Sequence, residues 1–323
     1  MTYQASSGIY VLITIMLTFK DWNCKQKSYK EIVSFAGIAA LSFFLAMLSF
    51  RFIFMNPFNS YAGTAIFSPA QLISGILRNI NNYIILVNND FNIIWKVFIA
   101  VILILFIGKM VGVSAQNKII AAFGSFFVIA ALCIMSFGVY IVLENPLYAP
   151  RATYGFGIFL SIISISVISD RKKINMISVL ALNWCFLIFS FSYGNALADQ
   201  KRYTDFRAEM LLRDLSALFP NRTMDDMPIQ MRNSIEFAPS IKENIAKRYP
   251  VIERLILPQL SNWYWSYHYL IQYFNWGTEE LVDRVWDTIA LVDFAAMDLP
   301  VVFDSFYHTI KSDGEKILIE LKN

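Results

Sequence analysis

The stretch from Trp95 to Leu143, WKVFIAVILILFIGKMVGVSAQNKIIAAFGSFFVIAALCIMSFGVYIVL, decides the fold class. It contains two apolar runs, Trp95 to Val113 and Ile119 to Leu143, and the short polar link between them carries Lys118. A helix that crosses a bilayer needs roughly 20 predominantly apolar residues. Each run meets that length, so the stretch predicts a pair of antiparallel membrane-spanning helices.

Further apolar runs flank this pair on both sides: Tyr3 to Phe19, Ile32 to Phe54, Thr153 to Ser169 and Ile174 to Tyr193. Of the 323 residues, 57% are hydrophobic and only 16% are charged, and the mean hydropathy is +0.50. The sequence therefore predicts a polytopic α-helical membrane protein, with a bundle of about six helices over residues 1–192.

Positive charge marks one side of the predicted bundle. The short links on that side carry the following basic residues: Lys20, Lys25, Lys27 and Lys30, then Lys109 and Lys118, then Arg171, Lys172 and Lys173. Lys and Arg collect in cytoplasmic loops. We therefore expect these loops in the cytoplasm, and the other connections and residues 193–323 on the opposite side.

The charges divide unevenly between the two parts of the chain. Residues 1–192 carry 13 Lys and Arg against 5 Asp and Glu, whereas residues 193–323 carry 14 against 19. The net charge of +3 therefore sums a basic membrane part and an acidic outer part. This balance reflects topology, and it gives no nucleic-acid-binding signature.

Residues 193–323 predict a small outer domain, either mixed α/β or mostly α. A helix is expected from Ala196 to Phe219 with Asn195 as its cap, and two short strands around Ile229 to Phe237. An amphipathic helix is expected from Trp286 to Leu299, and a late turn at Asp313-Gly314. The domain contains no cysteine, so it must fold without disulfides.

A further helix is predicted near residues 64–88, between the second and third spans. Its apolar residues recur at helical spacing, at Ile66, Ala70, Ile73, Leu77, Ile80, Ile84 and Val87. Such a stripe is typical of a helix that lies in the membrane interface. The stripe could face lipid headgroups, or it could pack against the neighbouring spans.

Charged side chains on the outer side supply candidates for chemistry. Glu144 and Asp90 are the acids of the membrane part that fall on the outer side, so they are the candidate catalytic bases there. Arg151 follows a short outer turn with two prolines, and a guanidinium is suited to a two-pronged grip on phosphate. Arg78 and Arg51 are further candidates for that grip. A Glu144 to Arg151 ion pair, or simple snorkelling, would explain the turn equally.

Aromatic residues are dense from Trp263 to Tyr269. Trp263, Trp265 and Tyr267 could stack on sugar rings and so bind a carbohydrate acceptor, or they could fill a core or a headgroup belt. The sequence lacks the spacing of a zinc site, a P-loop or a dinucleotide fingerprint. It predicts no cofactor and no metal site, and leaves a divalent cation open at Asp225-Asp226.

Three short motifs carry a resemblance to a known family. They are Tyr3-Gln-Ala at the start of a span, Pro150-Arg151-Ala-Thr-Tyr-Gly155 after the outer turn, and Tyr193-Gly-Asn-Ala-Leu-Ala-Asp-Gln-Lys-Arg-Tyr203 at the end of the last span. Together they resemble the Gtr-type glucosyltransferases, which glucosylate bacterial O-antigen and change the serotype. The resemblance covers most of this chain but only the C-terminal part of a family member.

The resemblance implies a GT-C architecture, in which a multi-span bundle in the bacterial inner membrane presents a periplasmic active face. The enzyme would take glucose from undecaprenyl-phosphate glucose and attach it to lipopolysaccharide O-antigen. Its partners would be the lipid-linked sugar, the polysaccharide and the bilayer. Arg151 would stabilise the charge of the departing phosphate.

The catalytic acid of GT-C enzymes usually lies in their first outer loop, and this chain is expected to begin after that loop. The first span also lacks an inward start signal. We therefore expect the usual base upstream of Met1 and no transfer by the 323-residue chain alone. Otherwise, Glu144 or Asp90 takes that role.

Two other functions remain open from the sequence. One is a non-enzymatic membrane component of envelope polysaccharide export, although charged residues gather at the ends of the spans rather than along a path through them. The other is an O-antigen polymerase. A polymerase would use an oligosaccharide on pyrophosphate, whereas the glucosyltransferase uses one sugar on monophosphate.

Overall fold

The computed structural model describes residues 7–25, 27–54, 65–170, 172–223, 225–278 and 293–322. The protein is mostly helical and divides into two compact units. The bundle unit comprises Met1–Phe189 together with the short segment Tyr249–Leu255. The C-terminal unit comprises Ser190–Arg248 and Ile256–Asn323.

Helices occupy each of the apolar runs that the sequence predicts as spans. The longer helices up to the end of the last run are α1 Ser7–Asn23, α2 Tyr29–Ser49, α3 Leu72–Asp90, α4 Ile93–Val113, α5 Lys118–Met135, α6 Tyr154–Ile168 and α7 Lys173–Leu218. Among the described helices, α2, α4, α5 and α7 are long and apolar enough to cross a membrane. α1 has 17 residues and α6 has 15.

Polar caps define where these helices begin. Ser28 and Glu31 form a capping box at the start of α2, in which each side chain binds the other residue's backbone N–H. Asn92 accepts a hydrogen bond from the Trp95 N–H at 3.0 Å, and Asn117 caps α5 in the same way. These polar residues satisfy N–H groups that the helices themselves leave unpaired.

Apolar side chains of the bundle point both inward and outward. Ile102, Phe106 and Leu132 are fully buried in its core. Other large apolar side chains lie on the surface, among them Ile104, Phe123, Phe126, Ile165 and Ile177. A helix that is apolar on all sides is suited to hydrocarbon rather than water, which agrees with the four helices of membrane-spanning character.

Helix α7 differs from the prediction at its midpoint. The sequence predicts a new helix capped by Asn195, but α7 runs without a break from Lys173 to Leu218, over 46 residues. A lone glycine inside a helix costs only about 1 kcal/mol. Gly194 alone therefore does not break a helix whose neighbours on both sides are good helix formers, and α7 ends where Pro220 follows.

The C-terminal unit is mixed α/β. Its elements after α7 include α8 Ala246–Arg248, α10 Tyr264–Phe274 and the strands β1 Ile229–Arg232, β2 Val301–Asp304, β3 His308–Ser312 and β4 Ile317–Leu321. The helix between these two, α9 Ile252–Leu255, belongs to the bundle unit. The strands form one sheet in the order β1-β4-β3-β2.

Pairing in this sheet is parallel between β1 and β4 and antiparallel elsewhere. The second strand predicted near Ile235 to Phe237 is wrong, since that stretch is irregular and only Ser234 forms an isolated bridge, with Ser261. Asp313 and Gly314 form the predicted late turn, which joins β3 to β4. Of the helix predicted from Trp286 to Leu299, residues 286–292 lie outside the described residues, and the remainder contains a short 3-10 turn, Phe294–Ala296.

Candidate functional site

Polar side chains of helix α3 donate hydrogen bonds to the turn that follows α5. Asn79 is fully buried, and its Nδ2 donates to the carbonyls of Ile141 at 3.0 Å and Leu143 at 2.8 Å. Tyr83 is also buried, and its hydroxyl donates to the Leu147 carbonyl at 2.8 Å. These bonds fix α3 at the end of α4 opposite the lysine-bearing link.

The predicted apolar stripe is divided between two sides of α3: Ile80 and Val87 are half-buried against the core cluster that contains Tyr83, whereas other members face outward. Ile73, Leu77 and Ile84 are 76%, 61% and 49% exposed. Packing of the stripe against neighbouring spans is therefore wrong for these three residues. Their exposure agrees with the alternative, in which the stripe faces the membrane interface.

Asp90 lies at the C-terminal end of α3 and is only 8% exposed. Arg254, from the short helix α9, donates one guanidinium nitrogen, Nη1, to Asp90 Oδ2 and the other, Nη2, to the Tyr148 carbonyl. The guanidinium thus bridges a carboxylate at the end of α3 and the short turn between α5 and α6. The Arg254 side chain remains 27% exposed, so one side of it is accessible.

Aromatic contacts hold the segment that carries Arg254. The Tyr249 ring stacks on Trp95 with 5.7 Å between the ring centroids, and it meets Phe189 edge-on at 5.3 Å. Ile252 is fully buried. Because Tyr249 and Ile252 are both packed into the bundle unit, the position of Arg254 is set by packing as well as by its ion pair.

Tyr148 completes the arrangement. Its hydroxyl accepts a hydrogen bond from Asn82 Nδ2 at 3.0 Å, and its ring lies 4.9 Å from that of Tyr83. Together Asp90, Arg254, Tyr148, Asn82 and Tyr83 form the group that we call the Asp90 cluster. It combines a carboxylate, a guanidinium and two phenolic rings within one unit.

Burial sets the acidity of Asp90. Loss of hydration raises the pKa of the Asp90 carboxyl above its ordinary value, and the Arg254 guanidinium opposes that rise. A carboxylate with a raised pKa is a stronger base once it is deprotonated. The cluster therefore contains a carboxylate that can accept a proton and a guanidinium that can bind an anion.

Two of the other predicted residues of the membrane part, Arg78 and Glu144, lie close to each other. The structure brings Arg78 to Glu144: Arg78 Nη2 donates to the Glu144 backbone carbonyl at 3.4 Å, and its guanidinium lies 5.3 Å from the centre of the Phe67 ring. The Glu144 N–H donates to the Ala65 carbonyl at 2.9 Å. Glu144 is half-buried, whereas Arg78 is exposed.

Arg151 and Arg51 lie at other places in the bundle unit. Arg151 is exposed in a 3-10 turn, Pro150–Ala152, immediately before α6. Arg51 lies in the turn Phe50–Phe54 after α2, and its side chain is outside the described residues. Their predicted phosphate contacts therefore remain predictions.

The predicted acceptor residues separate into exposed and buried ones. Trp263 and Trp265, at the start of α10, are 49% and 64% exposed, so their rings are accessible. Tyr267 is 1% exposed, and its hydroxyl accepts a hydrogen bond from the Met231 N–H at 2.8 Å. Burial raises the pKa of Tyr267 to about 12. Tyr267 is thus a core residue without an exposed ring face, and the prediction that it binds an acceptor is wrong.

Arg254 is the residue that sequence reasoning missed. It lies 164 positions from Asp90, and no local spacing relates the two. The available signal was weak: Glu253 and Arg254 are two charges in an otherwise apolar stretch, Val251 to Leu257, after Pro250. No group of three or more His, Cys, Asp or Glu that could hold a metal occurs within the part of the chain that the structure describes.

Comparison with known proteins gives one informative similarity. An uncharacterised 55.3 kDa protein encoded in the gtrB 5′ region of Salmonella phage P22 is 31% identical to this chain over 133 residues. The aligned part is 40% of this chain and 27% of the phage protein, so the chain spans about a quarter of that relative's length. No protein-family model and no solved structure matches the chain. The chain is similar, in part, to a phage protein from a gtr region.

Proposed function

We propose that this protein is a membrane glucosyltransferase of the Gtr type. It transfers glucose from undecaprenyl-phosphate glucose to lipopolysaccharide O-antigen, in the bacterial inner membrane and with the C-terminal unit in the periplasm. The observation that carries the proposal is the Asp90 cluster, an acid and an arginine held together at the end of an apolar bundle. The three family-like motifs and the similarity to a protein of the gtrB region support it.

Asp90 is the proposed base. A hydroxyl of the acceptor sugar attacks C1 of the donor glucose, and the bond between C1 and the phosphate oxygen breaks. The polyprenyl phosphate leaves with the bonding electron pair, and the acceptor proton goes to the Asp90 carboxylate. The raised pKa of Asp90 favours this proton transfer once the carboxylate is free.

Arg254 is the proposed phosphate-binding residue. Its two terminal guanidinium nitrogens each donate a hydrogen bond, one to the Asp90 carboxylate and one to the Tyr148 carbonyl. A donor phosphate offers two anionic oxygens to the same two nitrogens and competes with Asp90 for them. Binding of the donor would thus free the base at the moment it is needed. Arg78 and Arg151 remain candidates for further contacts with the phosphate.

The experiment is expression of the chain in a bacterial strain that makes the lipid-linked donor, with the O-antigen analysed by mass spectrometry. With Asp90 as the base, we expect added hexose with the wild-type chain, in contrast to the expectation from the sequence that the 323-residue chain alone transfers none. Asp90→Asn should reduce that addition about 100-fold or more, because it removes the proton acceptor. Arg254→Lys should reduce it about tenfold or more, since a point charge cannot reproduce the forked contact.

Asn89→Ala is the matched control for Asp90→Asn. Asn89 is the exposed neighbour of Asp90 on the same helix, so its loss should leave transfer unchanged. Full transfer by the Asp90→Asn variant would contradict the role of Asp90. Transfer that appears only when the chain is extended upstream of Met1, and that survives Asp90→Asn, would place the base outside this chain.

A further inference from the structure

Aromatic residues form a ladder along one face of α10, and two of its three members are exposed. Trp265, Tyr269 and Tyr273 recur every four residues and so lie on one face of the helix. Trp265 and Tyr273 are 64% and 63% exposed. Tyr269 is buried between them, and its ring lies 5.0 Å from that of Tyr273.

Charged residues of α7 face the same ladder. Asp205 accepts hydrogen bonds from the Tyr269 hydroxyl and from Lys201 Nζ, the latter at 2.8 Å. The Lys201 ammonium also lies 5.2 Å from the centre of the Tyr273 ring. A carboxylate, an ammonium and an exposed aromatic ring thus converge at one place within the C-terminal unit.

The charges of this group largely cancel. Lys201 and Asp205 form an ion pair, and their side chains are 54% and 34% exposed. No surplus positive charge is therefore left for a phosphate, and Glu209, one turn farther along α7, adds a negative charge that disfavours anions. The chemistry suits a neutral ligand with many hydroxyl groups, which can stack on the rings and hydrogen-bond to the charged pair.

We propose that the ladder Trp265–Tyr273 and the Lys201–Asp205 pair bind a neutral polysaccharide chain along the length of α10. Trp265 and Tyr273 are eight residues apart, about 12 Å along a helix. That separation requires an extended ligand rather than a single sugar. The proposal rests on the proposed function, because it assigns the place where the polysaccharide acceptor is held on the C-terminal unit.

The test is a binding experiment on the full chain in detergent, without any lipid-linked donor. The probe is O-antigen polysaccharide released from lipopolysaccharide by mild acid, and binding is measured by calorimetric titration. Trp265→Ala and Tyr273→Ala should each weaken binding about tenfold, because each removes one stacking platform. Phe306→Ala is the matched control: Phe306 is 79% exposed in the same unit and should leave binding unchanged.

Each outcome has one meaning. Unchanged binding in the Trp265→Ala, Tyr273→Ala double variant overturns the inference, as does a wild-type chain that binds no neutral polysaccharide. The double variant could instead lose binding to vesicles of anionic phospholipid while it keeps binding to polysaccharide. That result would make the ladder a membrane contact and would also overturn the inference. Asp90→Asn should retain polysaccharide binding. If the chain binds polysaccharide through the ladder but transfers no glucose, the proposed function is contradicted and this inference is supported.

Discussion

At the residue scale, a buried histidine links the stability of the C-terminal unit to pH. His308 is 1% exposed, and its Nε2 lies 3.2 Å from Asp214 Oδ2. Burial lowers the pKa of His308 below 6.5; Asp214 opposes that shift, whereas Arg207 and Lys322 add to it. The folded unit therefore resists protonation of a side chain that protonates freely in the unfolded chain.

The sign of the pH effect follows from this difference. Above about pH 6.5 His308 is neutral in both states and the unit has its full stability, whereas below it the unfolded state binds the proton first. We expect the melting temperature of the full chain to fall between about pH 7.5 and about pH 5.5, and to fall less in His308→Gln. His268→Gln is the control. An equal fall in wild type and His308→Gln, measured by circular dichroism, would contradict this account.

At the scale of elements, a glycine fixes how α6 meets the turn after α5. A Cβ on Gly155 would lie 2.1 Å from the Ser136 carbonyl oxygen, closer than any real contact allows. Small residues let helices of membrane proteins approach closely. Gly155 is also the last residue of the family-like motif Pro150-Arg151-Ala-Thr-Tyr-Gly155, so this close approach supplies a physical reason for that part of the motif.

Gly155→Ala should therefore destabilise the bundle unit by roughly 1–3 kcal/mol, the usual cost of overpacking. Gly157 is the matched control, because a Cβ there would meet no atom within 4 Å. Thermal unfolding in detergent should separate the two variants. Equal melting temperatures for Gly155→Ala and Gly157→Ala would show that the bundle relaxes at this contact.

Local sequence patterns predicted the helices of the bundle. The elements that these patterns missed depend on contacts between distant parts of the chain. The apolar runs located both ends of α4 and the start of α5 to within two residues, but α5 ends at Met135, eight residues before the predicted end at Leu143. The strands β3 and β4 escaped prediction because they are buried almost throughout and lack the alternation of a half-exposed strand. β1 pairs in parallel with β4, which lies 88 positions later, and no local spacing encodes such a partner.

The candidate site shows the same division. Asp90 was predictable because few acids fall on the outer side of the membrane part. Its partner Arg254 was not, since Tyr249–Leu255 joins the bundle unit from a distant part of the chain. The aromatic density around Trp263 and Trp265 made them predictable as candidate acceptor-binding residues. Only the degree of burial in the fold distinguishes them from the core residue Tyr267.

At the scale of the whole molecule, the Asp90 cluster and the lysine-bearing link lie at opposite ends of α4. The Asp90 cluster lies where α4 begins, and Lys109 and Lys118 lie where it ends. If the lysine loops face the cytoplasm, the Asp90 cluster faces the compartment in which a lipid-linked glucose donor would be used. The proposed function depends most on this orientation, because the transfer is proposed to take place in the periplasm.

The most direct test is the labelling of a single cysteine at Asn89, beside Asp90, in a chain whose Cys24, Cys133 and Cys185 are replaced by serine. Asn89 is exposed, so a membrane-impermeant maleimide can reach a cysteine there. The comparison variant is Lys172→Cys, in a lysine loop. We predict that, in cells with a permeabilised outer membrane and an intact inner membrane, Asn89→Cys is labelled and Lys172→Cys is not. Labelling of Lys172→Cys alone would contradict the orientation and, with it, glucose transfer from a lipid-linked donor at the Asp90 cluster.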